Sequence, residues 1–418
     1  MADWYWKVVG ALGLALLMVV HECGHFFVAR AYGMRVTKFS IGFGPTFFKI
    51  EPAHGYYWFT TLGGRVRLRL HKSRSTVVLA DGAVQKDHAG TVFQVAMIPF
   101  LAYVQIAGMN PLEDIDEKDK GNYANASLLG RILTIFGGPA ANYLFASVLF
   151  FASFFFGGRM VEPRIDAPRS TQVTVIEGRP AEAAQVKSGD RIVEVAGVPV
   201  DRWKDMAQLI SAHPGETIAL VVERSGQRVA LSVTPDNMKG HGKIGVALMG
   251  HRVAVTAAEA ATLAVKMPPV VVKDSLVGLG KFITGKVEGE LSGPVGMVRE
   301  TAKVARSGWT DLLQLLGVIS AYLGAFNLIP FPALDGGRLM FLGYEATTRR
   351  RPNARIEAHI HFVGLFMMLG LMVYVTVNDI RRPDQPPPSD SAGAASSPKP
   401  RPSPAGSSSA PPADSGGK

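Results

Sequence analysis

Three side chains within five residues carry metal-site chemistry: His21, Glu22 and His25 in His21-Glu22-Cys23-Gly24-His25. On a helix, positions i and i+4 share a face, so both imidazoles can reach one metal ion. Glu22, one residue on from His21, can lie beside a metal-bound water and take its proton. In that role it is a base and not a ligand. Zn2+ is the ion this pattern points to, because it lowers the pKa of a bound water to ~7 in an otherwise dry site. Cys23 falls on a different helix face and reads as a small packing residue, with a third ligand as the alternative.

Two histidines leave room for a third protein ligand and one open position. The candidate lies far along the chain, in Asn327-Leu328-Ile329-Pro330-Phe331-Pro332-Ala333-Leu334-Asp335-Gly336-Gly337. Pro330 and Pro332 break a helix, and Gly336-Gly337 allow a tight turn. A carboxylate presented on irregular backbone at membrane depth is costly unless it binds something, and a metal is the obvious partner for Asp335. Taken alone, Asp335 would open the following helix as a cap. The pentad shifts the balance toward the ligand.

These residues need elements to hold them. Hydrophobic residues make up 47% of the 418 and charged residues only 19%. A soluble protein averages ~25% charged, so a membrane protein is the leading class. Four segments read as spans: one from near Trp4 through Val8–Val20 into His21, then Ile132–Phe156, Leu312–Leu328 and Ala358–Val377. Each is long enough, or nearly so, to cross ~30 Å of hydrocarbon. The pentad is placed at the end of the first span. That span lacks a small-x-small cleavage site after its apolar run, so it is expected to stay rather than act as a leader. The one cysteine excludes an intramolecular disulfide. The formal net charge of +10 follows membrane topology better than nucleic-acid binding, and no nucleic-acid partner is expected. The lipid bilayer is itself a partner.

Loop charge sets the orientation. Arg338, Arg349, Arg350, Arg351 and Arg355 put the loop between spans three and four in the cytoplasm, and alternation puts residues 32–131 there too. Residues 158–310 would face outward. Arg381 and Arg382 pull weakly the other way. Within that outward segment, Thr171–Ile176, Arg191–Val195, Thr217–Glu223 and Arg228–Val233 read as strands, with Asp201–Ala212 a helix and Ala181–Val186 a short one. The expected division is a first membrane-core part over 1–157, a β-rich domain over 158–250, amphipathic linker helices over 251–310, a second membrane-core part over 311–380, and a Pro/Ser/Ala-rich disordered tail over 381–418.

The pentad in a first span, with N-x-x-P-x-P-x-L-D-G-G in a later one, resembles the site-2 protease family of intramembrane zinc metalloproteases. The resemblance covers about residues 4–378. Gly42-Phe43-Gly44-Pro45 is similar to the family's G-F-G-P turn, Gly138-Pro139-Ala140-Ala141-Asn142 to its G-P-x-x-N, and Ser292-Gly293-Pro294-Val295-Gly296 to its S-G-P-V-G. Ser188–Gly197 is similar to the G-D-x-I-x-x-V-x-G of its PDZ domain. The family's P-L-G-G-Y-V segment is matched only in part, at Thr61–Val66 and Pro99–Val104, with an insertion-like polar stretch, 70–91, between them. The resemblance implies a polytopic α-helical membrane protein of about four spans, with a membrane-associated β-region and one PDZ-like extracytoplasmic domain. It implies His21, His25 and Asp335 as zinc ligands, Glu22 as general base, and Asn327, Gly42, Phe43 and Gly44 as substrate contacts. It further implies a bacterial inner-membrane location with the site toward the cytoplasm. The implied substrate is a membrane-spanning protein, such as a trimmed anti-sigma factor or a remnant signal peptide.

Two rivals stand beside this reading. A membrane PDZ adaptor that binds without cutting has no use for three buried ionisable groups. A zinc transporter or sensor would need ligands in spans two and four. Span two offers none, and His359 and His361, two apart, point to different sides of their helix near the interface. His54, His71 and His88 lie in polar loops and read as solvated.

Overall fold

The computed structural model describes residues 3–51, 56–61, 64–69, 77–78, 84–85, 90–110, 112–113, 118–161, 164–176, 178–238, 240–285 and 293–381. His54, His71, His88, Ser292, most of the 70–91 stretch and the 382–418 tail lie outside the described residues. The chain divides into two compact units, one formed by residues 1–162 and 250–384, the other holding 163–249.

Helix α1 (Asp3–Ala31) opens the first unit. It does not end at the pentad: ten more residues, Glu22–Ala31, continue the helix, so the histidines sit inside a helix of 29 residues and not at its end. A sheet follows, built from β1 (Val36–Glu51), β2 (Tyr56–Thr61), β3 (Gly64–Arg69) and β6 (Val92–Ile106), in the order β3-β2-β1-β6. A two-residue ribbon, β4 (Val77–Val78) with β5 (Val84–Gln85), lies between β3 and β6 in sequence. The β1–β6 pairing is bulged. Residues 38–41 of β1 are flanked on one side by 102–105 and on the other by 92–95. The register jumps at Gly42 and Gly44, whose φ values of 90° and 93° only glycine adopts without strain. The Gly42-Phe43-Gly44 segment is therefore a bend inside a long strand. Helix α2 (Leu128–Gly157) is capped by the Ser127 hydroxyl, which accepts from the Gly130 N–H, and it contains Pro139.

Strand β7 (Arg159–Val161) leads out of the first unit and pairs with β16 (His251–Val253). Between them the second unit holds β8 (Val173–Val175), α3 (Pro180–Ala183), β9 (Arg191–Val195), β10 (Val198–Pro199), α4 (Trp203–Ser211), β11 (Ile218–Arg224), β12 (Gln227–Val233), β13 (Asp236–Met238), β14 (His241–Lys243) and β15 (Val246–Leu248). Its main sheet runs β10-β9-β11-β12. Alternation along β11 buries Ile218, Leu220 and Val222 on one face. They pack with Ile192, Val195, Met206 and Ile210 in one core. The expected strands and helices of this region are present, each within a few residues of its expected bounds.

Asp190 ties this unit together. Its buried carboxylate accepts two hydrogen bonds from Arg224, at 2.7 and 2.8 Å, and one from the Lys187 N–H at 2.8 Å. Burial alone would raise its pKa, but the Arg224 and Lys187 contacts outweigh this and hold it below the usual carboxylate value. A depressed folded-state pKa contributes stability above the unfolded value of ~3.9, and that stability is lost as pH falls below it. Asp190→Asn is expected to reduce hydrogen-exchange protection of β9 and β11 in the full-length protein at neutral pH. The difference from wild type should begin to narrow below about pH 4 and close only once pH falls through the depressed folded-state value. Equal protection at pH 7 would refute this role.

The chain then returns to the first unit with α5 (Ala257–Ile283), α6 (Pro294–Ser307), α7 (Trp309–Asn327), α8 (Asp335–Thr348) and α9 (Ala354–Arg381). Among the described residues, four helices are long and apolar enough to cross a membrane: α1, α2, α7 and α9. Leu17, Leu149 and Leu316 meet where α1, α2 and α7 converge. Helix α5 carries Pro268 and Pro269 and packs Ala260, Ala264 and Val271 against Phe150 and Phe154 of α2. It belongs to the membrane-core packing more than the sequence pattern suggested. Helix α9 is mostly exposed, and its buried residues Gly364, Val375 and Asp379 fall on one face. There the Asp379 carboxylate accepts the Gly296 N–H at 2.9 Å, within the first turn of α6.

Candidate metal centre

Helix α1 places His21 and His25 one turn apart, and both side chains are buried. Asp335 arrives from the other end of the chain as the first residue of α8. The N-cap is Leu334, so Asp335 does not cap the helix. Its carboxylate lies against the histidines: Oδ2 is 3.1 Å from His21 Nε2 and 3.3 Å from His25 Nε2. The two Nε2 atoms are 3.2 Å apart. Among the described residues, these three form the one group of His, Cys, Asp or Glu side chains close enough to share a metal ion. Cys23 is not part of it.

The protons explain why this triangle asks for a cation. His25 Nδ1 donates to the Thr134 carbonyl at 2.8 Å, so its Nε2 presents a lone pair. His21 Nδ1 is 3.2 Å from the buried Asn142 carboxamide. The atom facing that nitrogen is Asn142 Nδ2, while Asn142 Oδ1 is buried without a donor; turning the amide over would bring Oδ1 to His21 Nδ1 and free Nε2 for a metal. Asp335 Oδ2 is buried and has no hydrogen-bond donor. His25 Nε2 and Asp335 Oδ2 are both lone-pair atoms 3.3 Å apart, and they repel each other unless a positive charge sits between them. Tetrahedral Zn2+ with bonds of ~2.0–2.1 Å spaces its ligand atoms by ~3.3 Å, which matches this triangle and leaves a fourth position open.

Helix α2 supplies the supports. Pro139 lacks the N–H that would bond the Ile135 carbonyl, which loosens the helix next to Thr134. Close approach needs glycine at three places. A Cβ on Gly24 would collide with the Gly137 carbonyl, and one on Gly137 would lie 2.7 Å from the Gly24 oxygen. A Cβ on Gly138 would collide with His25 Nε2 and lie 2.8 Å from His21 Cε1. The sequence pattern flagged Gly138 and Asn142 as a motif without giving them a role. The role is visible only once α2 is laid across α1.

The loop before Asp335 corrects one expectation. Gly336 and Gly337 do not form the turn: both are helical, inside α8. They are needed because a Cβ at 336 would lie 2.5 Å from the Leu328 oxygen and one at 337 would lie 2.5 Å from the Phe331 oxygen. The left-handed residue is Ala333, at φ 74°. A side chain in that conformation costs about 1 kcal/mol or more and persists only where neighbours enforce it. Asn327 is the last residue of α7 and half-buried. Behind the site, Arg131 of α2 holds Glu345 of α8 through two hydrogen bonds of 2.6 and 3.0 Å. Both side chains are largely buried, so α8 is fixed to α2 ten residues along from Asp335.

Glu22 reaches the sheet. Its Oε2 accepts the Val104 N–H at 3.0 Å, and Val104 lies on the outer segment of β6. Beside it, an apolar cavity of about 310 Å³ is walled by Cys23, Phe26, Phe27, Phe39 and Phe93 among others. Cys23 therefore lines an apolar wall, in keeping with a packing role.

The chain matches the family model described as peptidase family M50, over residues 9–80 and 67–371. It is 30% identical over 387 or more residues to several bacterial proteins. Among them is zinc metalloprotease RasP of Geobacillus kaustophilus, where the match covers 88% of this chain and 95% of the relative. Zinc metalloprotease RasP of Shouchella clausii is 29% identical over 88% of this chain and 97% of its own length.

Proposed function

Because this chain belongs to peptidase family M50, the site-2 protease family, and is a zinc metalloendopeptidase of the membrane, we propose that it hydrolyses a peptide bond in or near the transmembrane helix of a membrane-protein substrate. The observation that carries this reading is the triangle of metal-ligating atoms from His21, His25 and Asp335, held among apolar helices. These three residues would hold the zinc ion. When bound, zinc acidifies water and polarises the scissile carbonyl.

Glu22 is the general base. With Oε2 held by the Val104 N–H, Oε1 is left to take a proton from the attacking water and pass it to the leaving amine. A helical peptide bond is shielded by its own hydrogen bonds, so the substrate must unwind. The outer segment of β6, next to Glu22, offers an edge for strand addition. The Gly42-Phe43-Gly44 bend lies on the neighbouring strand, and Asn327 is placed as a further substrate contact. The aromatic cavity beside Cys23 suits an apolar side chain, as expected of a residue drawn from a membrane span.

The arginines between α7 and α9 support a cytoplasmic placement for that loop, and with it a site toward the cytoplasm. The unit over 163–249 is then extracytoplasmic. We read it as PDZ-like, either binding peptide or filtering substrates by size, with the membrane core split around it at about 157 and 311. Location in the inner membrane follows the same reading. A trimmed anti-sigma factor or a remnant signal peptide is the proposed substrate class.

The test is zinc content and cleavage of a tagged single-span substrate by protein purified in detergent, wild type beside Asp335→Ala. Wild type is expected to hold about one zinc and cut within the span, while Asp335→Ala loses both metal and activity. A wild type that binds no zinc would overturn the assignment of the site. One that binds zinc but cuts only outside the span would overturn the substrate class.

A further inference from the structure

We propose that His361, on α9, is a positioning residue that sets Asp335 through the loop before it. His361 Nδ1 accepts the Ala333 N–H at 3.1 Å. Ala333 is the left-handed residue of that loop, two positions before Asp335. The loop's other bonds are local: Phe331 N–H to Ile329 O at 2.7 Å, Leu334 N–H to Phe331 O at 3.2 Å and Gly337 N–H to Leu334 O at 3.1 Å. None of them binds Ala333 itself. The bond from His361 reaches it from a different helix, at the one backbone position whose conformation a side chain disfavours.

Three further observations make this contact more than incidental. His361 must be neutral with its proton on Nε2 to accept at Nδ1. Nε2 is buried without a partner, so the ring forgoes one hydrogen bond to make the other. Its plane leans on Phe341 of α8, with ring centroids 5.6 Å apart. One turn along α9, Gly364 meets the same loop: a Cβ there would collide with Pro332 and lie 2.7 Å from its carbonyl oxygen. His361 and Gly364 share the face that also carries Val375 and Asp379. The α9 helix thus grips the loop at Pro332 by close contact and at Ala333 by a hydrogen bond. Among the described residues, no ligand atom comes from α9 to the triangle. Its effect on the metal is carried by the backbone of 333–335.

The inference rests on Asp335 being a ligand, as proposed above. His361→Leu removes the acceptor at similar size, and His361→Asn restores one at the Nδ1 position. Each variant, with Asp335→Ala alongside, is compared by chelator competition for Zn2+, by the visible spectrum of the Co2+-loaded protein, and by thermal midpoint of the metal-free protein in detergent. His361→Leu is expected to bind Zn2+ about 10–100-fold more weakly, with shifted Co2+ bands and an unchanged metal-free midpoint. His361→Asn is expected to recover affinity and spectrum. Wild-type affinity and spectrum in His361→Leu would overturn the proposal. So would equal loss in both His361 variants with a lowered metal-free midpoint, which is the mark of packing alone. Wild-type affinity in Asp335→Ala would instead sink the ligand assignment, and this proposal with it.

Discussion

Glu22→Gln will retain about one Zn2+ per chain yet cleave a tagged single-span substrate about 10²–10⁴-fold more slowly than wild type. The reasoning is steric as well as chemical. Gln has the size of Glu, and its amide oxygen still accepts the Val104 N–H, so the local packing of α1 against β6 survives. The proposed ligand atoms belong to His21, His25 and Asp335, and none is removed. What disappears is a group able to take a proton from water at neutral pH. Metal content by elemental analysis and initial cleavage rates separate the two effects. Loss of zinc would make Glu22 a ligand or a structural anchor. Undiminished cleavage would move the base elsewhere.

Gly138→Ala will disable the site without replacing any proposed ligand or base. The added methyl collides with His25 Nε2 and lies 2.7 Å from His25 Cε1 and 2.8 Å from His21 Cε1. The rings cannot retreat, because Thr134 and Asn142 hold their Nδ1 atoms. Either α1 and α2 separate, or the imidazoles turn and the triangle opens. Both outcomes weaken Zn2+ binding, by at least the ~10–100-fold typical of disturbed ligand supports, and cleavage falls with it. The control is Gly343→Ala in α8, where an added Cβ meets nothing within 4 Å. There the change should be neutral, or stabilising by up to about 1 kcal/mol through helix propensity. Chelator competition and thermal melts on both variants decide it. Wild-type zinc affinity in Gly138→Ala would mean that the two helices have room to spare.

These predictions differ in what they required. The role proposed for Glu22 follows from five consecutive letters, because helical periodicity alone sets His21 and His25 on one face. The four membrane helices follow from runs of apolar residues longer than the bilayer is thick. The β-strands around Asp190 follow from alternation and turn residues. All of these are local properties, decided within a turn or a strand, and a one-dimensional pattern contains them. Asp335 was reachable from sequence for a related reason: an acidic residue beside two prolines at the end of an apolar run is expensive enough to demand a partner.

Other features depend on which elements touch. Gly336 and Gly337 looked like turn residues, yet they are helical, and Ala333 takes the left-handed conformation. Glycine serves equally for a turn or for a close approach, and sequence cannot separate the two uses until the neighbouring loop is in place. His361 read as an interfacial residue because no helical rule connects it to Ala333, 28 positions away. Asn142 and Thr134 act on histidines more than 100 residues earlier. The types of ligand and base were thus written in local sequence. The orientation of each imidazole, and the backbone that brings Asp335 within 3.3 Å of both, were decided by helix crossings. Crossings depend on the shapes of two surfaces at once, and either segment alone specifies only one of them.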